Sequence, residues 1–261
     1  MSGSRRGLIL GGLALAGGYA ALGYGVPALR SRWTDMEFSA LDRPAGFRRI
    51  AGGETSAGAF DPFVGLDASH NEAHEALLVV DVEANLCGTL FSGWSGQADV
   101  VPIASFSDYN CAICRITTRR LAGLREIAEG TAQVTWHELP ILGETSLLAA
   151  RAALAADRQG AYSAFHDRLL RSPFQPTPEY LHAVAADLGL DHDLLLADMS
   201  GDAVSERIAR GLALRDLFGF PGTPAIVVGR TVIEGDVDER TLARLIEVER
   251  EAGPPPGCQS A

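Results

Sequence analysis

The 261-residue chain contains no lysine, so all 22 of its basic residues are arginines. It has 33 acidic residues, which gives a formal charge of -11. Residues 1–30 carry three arginines and no acid, so the rest of the chain has 19 basic against 33 acidic residues. This balance argues against nucleic acid as a partner. The hydrophobic fraction of 47% is typical of a globular protein and excludes a disordered one.

Cysteine is also scarce, with only Cys87, Cys111, Cys114 and Cys258. The two cysteines that are three residues apart form one unit. Cys87 and Cys258 are either a structural disulfide, which would join the segment before the motif to the C-terminal tail, or two unrelated free thiols. A disulfide there requires an oxidising compartment, and the sequence leaves the two alternatives open.

Residues 8–29 lack any charge and follow Arg5 and Arg6. This run is long enough to cross a bilayer as a helix, so residues 1–30 are either a membrane anchor or an export signal. No clear small-x-small cleavage site precedes a polar segment, which favours the anchor. The two arginines also resemble a twin-arginine export motif.

Residues 31–97 lack a sustained hydrophobic period, and we expect them to form a linker and N-terminal extension. Within this range, the apolar segment 75–91 favours a helix. His70 and His74 have helical i, i+4 spacing, but no third ligand and no His-Glu-x-x-His order accompany them. We therefore interpret them as solvent-facing and predict no metal site.

The motif that carries chemistry is Cys111-Ala-Ile-Cys114, which follows an apolar, β-prone run at 100–106. The residues after it predict a helix, so both cysteines lie on the first turn of a helix that follows a strand. Unpaired N–H groups and the positive end of the helix dipole favour the thiolate of the first cysteine. A second thiol three residues later makes a reversible dithiol/disulfide couple.

The surrounding residues predict a β-α-β unit, with a strand at 100–107, a helix at 111–129 and a second strand at 132–140. Such a crossover joins parallel strands and places the cysteines at the carboxyl end of the first strand. Open α/β sheets hold their chemistry at that end.

The pattern then changes to helices that are punctuated by glycine and proline, and we predict an all-helical insertion over 144–218. Its helices are expected at about 145–158, 160–171, 177–188, 191–199 and 202–218. Two short strands at 225–228 and 231–233 then form a hairpin, and a helix at 238–251 follows. The domain thus consists of residues 98–143 and 219–251, and residues 252–261 form a tail that is expected to lie extended on the surface.

This order of elements resembles the DsbA-like thiol-disulfide oxidoreductases of the thioredoxin superfamily. The resemblance rests on Cys111-x-x-Cys114, on Gly222-Thr223-Pro224 before a strand, and on residues 159–166 of the insertion. It implies an α/β thioredoxin-like fold with an inserted helical subdomain, preceded by the membrane span or signal. It also implies a cis Pro224, which would leave the backbone of Thr223 beside the disulfide to pair with an extended substrate.

The sequence departs from the family pattern between and before the cysteines. Ala112 and Ile113 stand where strong oxidants have Pro-His, and Ile113 adds neither a hydrogen-bond donor nor a charge, so we expect a less oxidising couple. Ser105 stands where the family often has a buried acid that shuttles a proton, with Asp108 and Glu138 as candidate substitutes. The direction of electron flow stays open.

The resemblance implies a periplasmic enzyme that exchanges disulfides with cysteine-containing exported proteins, without a cofactor. Substrate would attack Cys111 as the more exposed sulfur, and a membrane or soluble redox partner would restore the disulfide. We expect a monomeric domain that is held at the membrane by residues 8–29. The alternatives are the reductase or isomerase direction, and a copper-binding assembly factor that uses Cys111 and Cys114 with His137 or His166.

Overall fold

The computed structural model describes residues 36–57, 72–172 and 175–258. The chain divides into two units, residues 1–38 and 39–261, and the elements below belong to the second. The predicted span at 8–29 and His70 lie outside the described residues. Among the residues that are described, no helix combines the length and the apolar character needed to cross a membrane.

Six strands form one mixed sheet in the order β1-β2-β6-β5-β3-β4. The pairs β2–β6 and β3–β4 are parallel, whereas β1–β2, β6–β5 and β5–β3 are antiparallel. The strands are β1 Ser39–Ala40, β2 Arg48–Ile50, β3 Val101–Ser107, β4 Ala132–Glu138, β5 Ala225–Val228 and β6 Thr231–Glu234.

Helices contact the sheet and build the insertion. They are α1 Glu72–Ala84, α2 Leu86–Leu90, α3 Ala112–Ala122, α4 Arg125–Ala128, α5 Glu144–Arg158, α6 Tyr162–Arg171, α7 Pro178–Asp187, α8 His192–Met199, α9 Asp202–Phe218 and α10 Glu239–Ala252. Helices α1 and α2 confirm the helical interpretation of residues 75–91.

The predicted β-α-β unit is confirmed, because β3 and β4 are parallel over seven residue pairs, from Val101 opposite Ala132 to Ser107 opposite Glu138. Every residue of β3 is buried, as expected for a strand with neighbours on both sides. The single helix predicted at 111–129 is instead two helices, α3 and α4. The chain turns between them because Leu124 adopts an extended backbone (φ -63°, ψ 137°) and buries its side chain.

The five predicted helices of the insertion form within a residue or two of their expected bounds. Side-chain caps explain where several begin: Thr177 accepts from the N–H of Tyr180, and Asp191 accepts from that of Leu194. Buried alanines of α5 lie at the centre of the insertion and allow close packing by α6, α7 and α8. None of the described residues in this range forms a strand.

The range 31–97, predicted as linker and extension, contributes to the sheet. Strand β2 pairs with β6, and Arg48 of β2 bonds Glu249 of α10 at 2.6 Å. The pattern gave no strand signal here because β2 is three residues long and two of them are arginines. Its attachment depends on a buried carboxylate from the other end of the chain.

The tail is more tightly attached than predicted. Cys258 is bonded to Cys87 with a Cα–Cα distance of 5.1 Å, which is the pairing that the sequence left open. Cys258 is only 8% exposed and packs in the core cluster beneath the sheet. Arg230 donates from Nη2 to the carbonyl oxygens of residues 252–254 at 2.9 Å, so the tail lies against the domain.

Candidate active site

Cys111 and Cys114 form a disulfide at the start of α3. Cys111 is the N-cap residue with extended backbone angles (φ -82°, ψ 111°), and the N–H of Cys114 points at its sulfur at 3.0 Å. The helix therefore directs a backbone donor at the first sulfur, as its position in the sequence predicts. In the reduced protein this donor stabilises a Cys111 thiolate.

A loop from the far end of the chain lies beside this sulfur. Strands β3 and β5 are antiparallel with Phe106 opposite Ala225, so the residues just before Ala225 lie next to the loop that leads to Cys111. The peptide bond between Thr223 and Pro224 is cis. The carbonyl oxygen of Thr223 is 3.5 Å from the sulfur of Cys111. The structure thus brings Cys111, Cys114, Thr223 and Pro224 together.

Neither cysteine is exposed: Cys111 and Cys114 both have 0% accessibility. The expectation that Cys111 is the more accessible sulfur is therefore wrong for this structure. The physical reason is that the loop around Thr223 contacts the sulfur, and Thr223 is itself fully buried.

Thr223 is covered by a residue that the sequence did not single out. Ser56 and Thr223 form an isolated antiparallel bridge. The N–H of Ser56 donates to the carbonyl oxygen of Thr223 at 2.7 Å, and the N–H of Thr223 donates to that of Ser56 at 3.0 Å. Ser56 lies in the range predicted as linker. The nearby Gly52 and Gly53 are the sequence signal there, because glycine allows the backbone to approach another backbone closely.

Asp108, one candidate for the missing acid, is a structural anchor. Its carboxylate accepts four hydrogen bonds of 2.7–3.0 Å, from the backbone N–H groups of Asn110, Ile141 and Leu142 and from the hydroxyl of Ser146. Burial raises the pKa of Asp108, and the hydrogen bonds oppose this shift. The residue ties the active loop to the start of α5.

Glu138, the other candidate, belongs to a buried cluster with two tyrosines and a histidine. Its Oε1 accepts from the hydroxyls of Tyr109 and Tyr162, both at 2.7 Å, and the Tyr109 oxygen lies 2.7 Å from Nδ1 of His166. Burial raises the pKa of Tyr109 and of Tyr162 well above the usual range. Tyr109 is two residues before Cys111, so this cluster fastens the active loop to the insertion.

The copper alternative offered His137 or His166 as an additional ligand beside the two cysteines, and each histidine has other partners. His137 stacks on Phe106 with a centroid distance of 4.7 Å and donates from Nε2 to the carbonyl oxygen of Leu90 at 2.9 Å. His166 lies in the cluster around Glu138. Across the described ranges, no three His, Cys, Asp or Glu residues are grouped so as to hold a metal ion.

Two arginines of α3 fix the helix in place. Arg115 donates to the carbonyl oxygens of Tyr109, at 3.2 Å, and of Ser172. Arg120 pairs with Asp236 at 2.6 Å, in the loop between β6 and α10. Helix α3 is therefore held both to its own approach loop and to the insertion.

A family model described as the DSBA-like thioredoxin domain matches residues 102–247. Among solved structures, a thioredoxin-like oxidoreductase from Silicibacter pomeroyi DSS-3 is 34% identical with a TM-score of 0.59, over 63% of this chain and 97% of that one. A periplasmic thioredoxin-like protein from Salmonella enterica serovar Typhimurium is 26% identical with a TM-score of 0.55, over 63% of this chain and 95% of that one.

Among curated proteins, the Na(+)/H(+) antiporter NhaA of Herminiimonas arsenicoxydans is 30% identical over 148 residues, which is 57% of this chain and 24% of the antiporter. The chain thus spans less than a quarter of the length of this relative. Because the family model matches more than half of the chain and includes both cysteines and the cis-proline loop, the chain belongs to the DSBA-like thioredoxin domains, a family of thiol-disulfide oxidoreductases.

Proposed function

We propose that this protein exchanges disulfides with cysteine-containing exported proteins through Cys111 and Cys114. One observation carries the proposal: the sulfur of Cys111 lies between a helix start that donates an N–H at 3.0 Å and the carbonyl oxygen of Thr223 at 3.5 Å. The first contact favours a thiolate leaving group, and the second places a peptide-pairing backbone beside it.

The exchange proceeds in two steps. A thiolate of the substrate attacks the sulfur of Cys111, the Cys111–Cys114 bond breaks, and Cys114 leaves as a thiolate that takes up a proton. A second substrate thiolate then attacks the substrate sulfur of the mixed disulfide and releases Cys111. The substrate gains a disulfide, and the protein holds two electrons and two protons as a dithiol, which a redox partner then oxidises.

The same residues serve the reductase or isomerase direction, in which a reduced Cys111 attacks a substrate disulfide and Cys114 resolves the mixed disulfide. The potential of the pair decides between the directions. In equilibrium with glutathione, a value near about -120 mV indicates an oxidant and a value near about -270 mV a reductant. Ile113 contributes no charge or donor toward Cys111, so we expect a value between these limits.

The periplasm is the proposed compartment. The Cys87–Cys258 bond, away from the redox pair, supports an oxidising environment, because structural disulfides rarely persist in a reducing cytosol. We further propose a monomeric domain that residues 8–29 hold at the inner membrane or carry through it as a signal. The redox partner would then be a membrane protein or a soluble periplasmic one.

Replacement of the two active cysteines tests the chemistry. We expect Cys111→Ser to abolish oxidation of a reduced peptide, because the attacked sulfur is gone. With a disulfide-bonded substrate, we expect Cys114→Ser to accumulate mixed disulfides on non-reducing gels, because Cys111 attacks the substrate disulfide and the resolving sulfur is gone.

The double variant Cys87→Ser, Cys258→Ser is the matched control, assayed at a temperature where it stays folded. It should retain turnover, since neither sulfur is near the proposed exchange. Full activity in Cys111→Ser would show that the chemistry lies elsewhere in the chain.

A further inference from the structure

A seven-residue arm, residues 51–57, runs from the end of β2 along the loops that flank the disulfide. Four backbone hydrogen bonds hold it there. Gly53 donates to the carbonyl oxygen of Asp236 at 2.9 Å, and Asp236 donates to that of Glu54 at 3.1 Å. The other two are the reciprocal bonds between Ser56 and Thr223, at 2.7 and 3.0 Å. The arm is thus docked along its length.

The last pair of bonds uses both backbone groups of Thr223. An extended peptide that pairs with this residue needs the same N–H and the same carbonyl oxygen, since each residue has one donor and one acceptor on its main chain. The carbonyl oxygen of Thr223 that accepts from Ser56 is also the atom 3.5 Å from the sulfur of Cys111. The arm therefore occupies the position of a peptide that would be aligned for exchange.

Glycines on both surfaces make this close approach possible. A Cβ on Gly222 would lie 2.6 Å from the carbonyl oxygen of Ser56, and one on Gly235 would lie 2.3 Å from that of Gly53. On the arm itself, a Cβ on Gly52 would lie 1.7 Å from the carbonyl oxygen of Glu234. Real Cβ atoms do not approach so closely, so the docked arm requires glycine at each of these positions.

We propose that the arm is an intramolecular substrate mimic, and that an extended, cysteine-containing peptide must displace it from Thr223 before exchange. This inference rests on the proposed function and adds its regulation. It accounts for a fully buried Thr223 in a protein whose chemistry requires this backbone to pair with a substrate. The apparent affinity for such a peptide is then the intrinsic affinity multiplied by the fraction of molecules in which the arm has left.

Weakening the arm should accelerate the exchange. Ser56→Pro removes the N–H that donates to Thr223 and leaves the cysteines and the cis-proline loop unchanged. The matched control is Ser56→Ala, which keeps both backbone bonds and removes only the hydroxyl. We expect oxidised Ser56→Pro to react with a reduced cysteine peptide about tenfold faster than wild type, which corresponds to about 1.4 kcal/mol, and Ser56→Ala to react like wild type.

Equal rates in Ser56→Pro and wild type, with both active, would overturn the arm proposal and leave the proposed function intact. Absence of exchange in every variant, wild type included, would reject the proposed function and the inference with it. A gain in Ser56→Ala as large as that in Ser56→Pro would place the effect on the hydroxyl and so reject the backbone mimic.

Amide hydrogen exchange of the wild-type protein gives a second test that requires no variant to fold. We expect the N–H groups of Gly53 and Ser56 to be protected in the free oxidised protein. A serine analogue of the cysteine peptide, which binds but cannot react, should remove this protection while that of Thr223 persists, because the peptide takes over its bond. Binding of the analogue with no change at residues 51–57 would contradict the proposal.

Discussion

The sulfur of Cys111 has one backbone N–H and one carbonyl oxygen close to it. The N–H of Cys114 approaches its sulfur at 3.0 Å, and the carbonyl oxygen of Thr223 approaches it at 3.5 Å. Only the first follows from neighbours in the sequence. The second depends on a residue 112 positions away, so the site is complete only once the sheet has formed.

His137 makes a residue-scale prediction about pH. Burial lowers the pKa of His137 from 6.5 to about 4. Between these values the unfolded chain binds more protons at this residue than the folded one, so the free energy of unfolding falls as the pH drops from 6.5 to about 4. His137→Gln keeps a donor for Leu90 and removes the titration. We expect its unfolding midpoint to fall less than that of wild type over this range.

The measurement is urea unfolding followed by circular dichroism at a series of pH values. Above about pH 7.5 His137 is neutral in the folded and in the unfolded chain. The difference in unfolding free energy between wild type and His137→Gln should therefore stay constant there. Parallel loss of stability in both proteins down to about pH 4 would mean that His137 does not contribute to the acid sensitivity.

At the scale of elements, strand β2 depends on Glu249 of α10. The carboxylate of Glu249 is buried and accepts from Arg48 Nη2 and Thr231 Oγ1, both at 2.6 Å, and from the N–H of Arg230 at 3.1 Å. One side chain thus joins β2, β6, the hairpin turn and the last helix. Strand β2 in turn leads directly into residues 51–57, so this carboxylate also sets where the arm starts.

Replacing Glu249 by alanine should destabilise the domain by about 3 kcal/mol, because it removes the buried carboxylate that accepts from Arg48 Nη2 and from the hydroxyl of Thr231. The matched control is Glu247→Ala on the same helix. Its side chain is 47% exposed and pairs with Arg244 on the surface, so we expect a change below about 1 kcal/mol. Chemical denaturation measures both, and equal effects would show that the buried network adds nothing.

At the scale of the whole molecule, the Cys87–Cys258 bond joins α2 to the tail across 171 residues of sequence. Cys258 belongs to a core cluster that includes residues of the sheet and of α9, and Cys87 packs against this cluster. A bond that closes so long a loop restricts the unfolded chain strongly. It therefore secures the N-terminal elements and the C-terminal tail on the same domain.

We expect the double variant Cys87→Ser, Cys258→Ser to lose about 2 to 4 kcal/mol of unfolding free energy. Calorimetry of the oxidised proteins measures this as a lower Tm. The reduction potential of the active pair should stay the same, since the two bonds are separate. An unchanged Tm would mean that tertiary packing alone holds the tail.

Much of this architecture was predictable because its signals are local. The apolar run before Cys111 predicted β3, helical segments punctuated by glycine and proline predicted the insertion, and Gly229-Arg230 predicted the hairpin. Strand β2 was not predictable, because a three-residue strand with two arginines has no hydrophobic period. The cluster of Tyr109, Glu138, Tyr162 and His166 was not predictable either, because its members are scattered along the chain.

The sequence by itself determined where the proposed redox pair lies and which helix carries it, because a Cys-x-x-Cys at the start of a helix that follows an apolar strand depends only on adjacent residues. Only the tertiary structure decided what surrounds the sulfur. Pairing of β3 with β5 placed Thr223 beside it, and the turn out of β2 placed Ser56 on Thr223. Both contacts join backbones more than a hundred residues apart, and no local pattern specifies which distant strand will supply them.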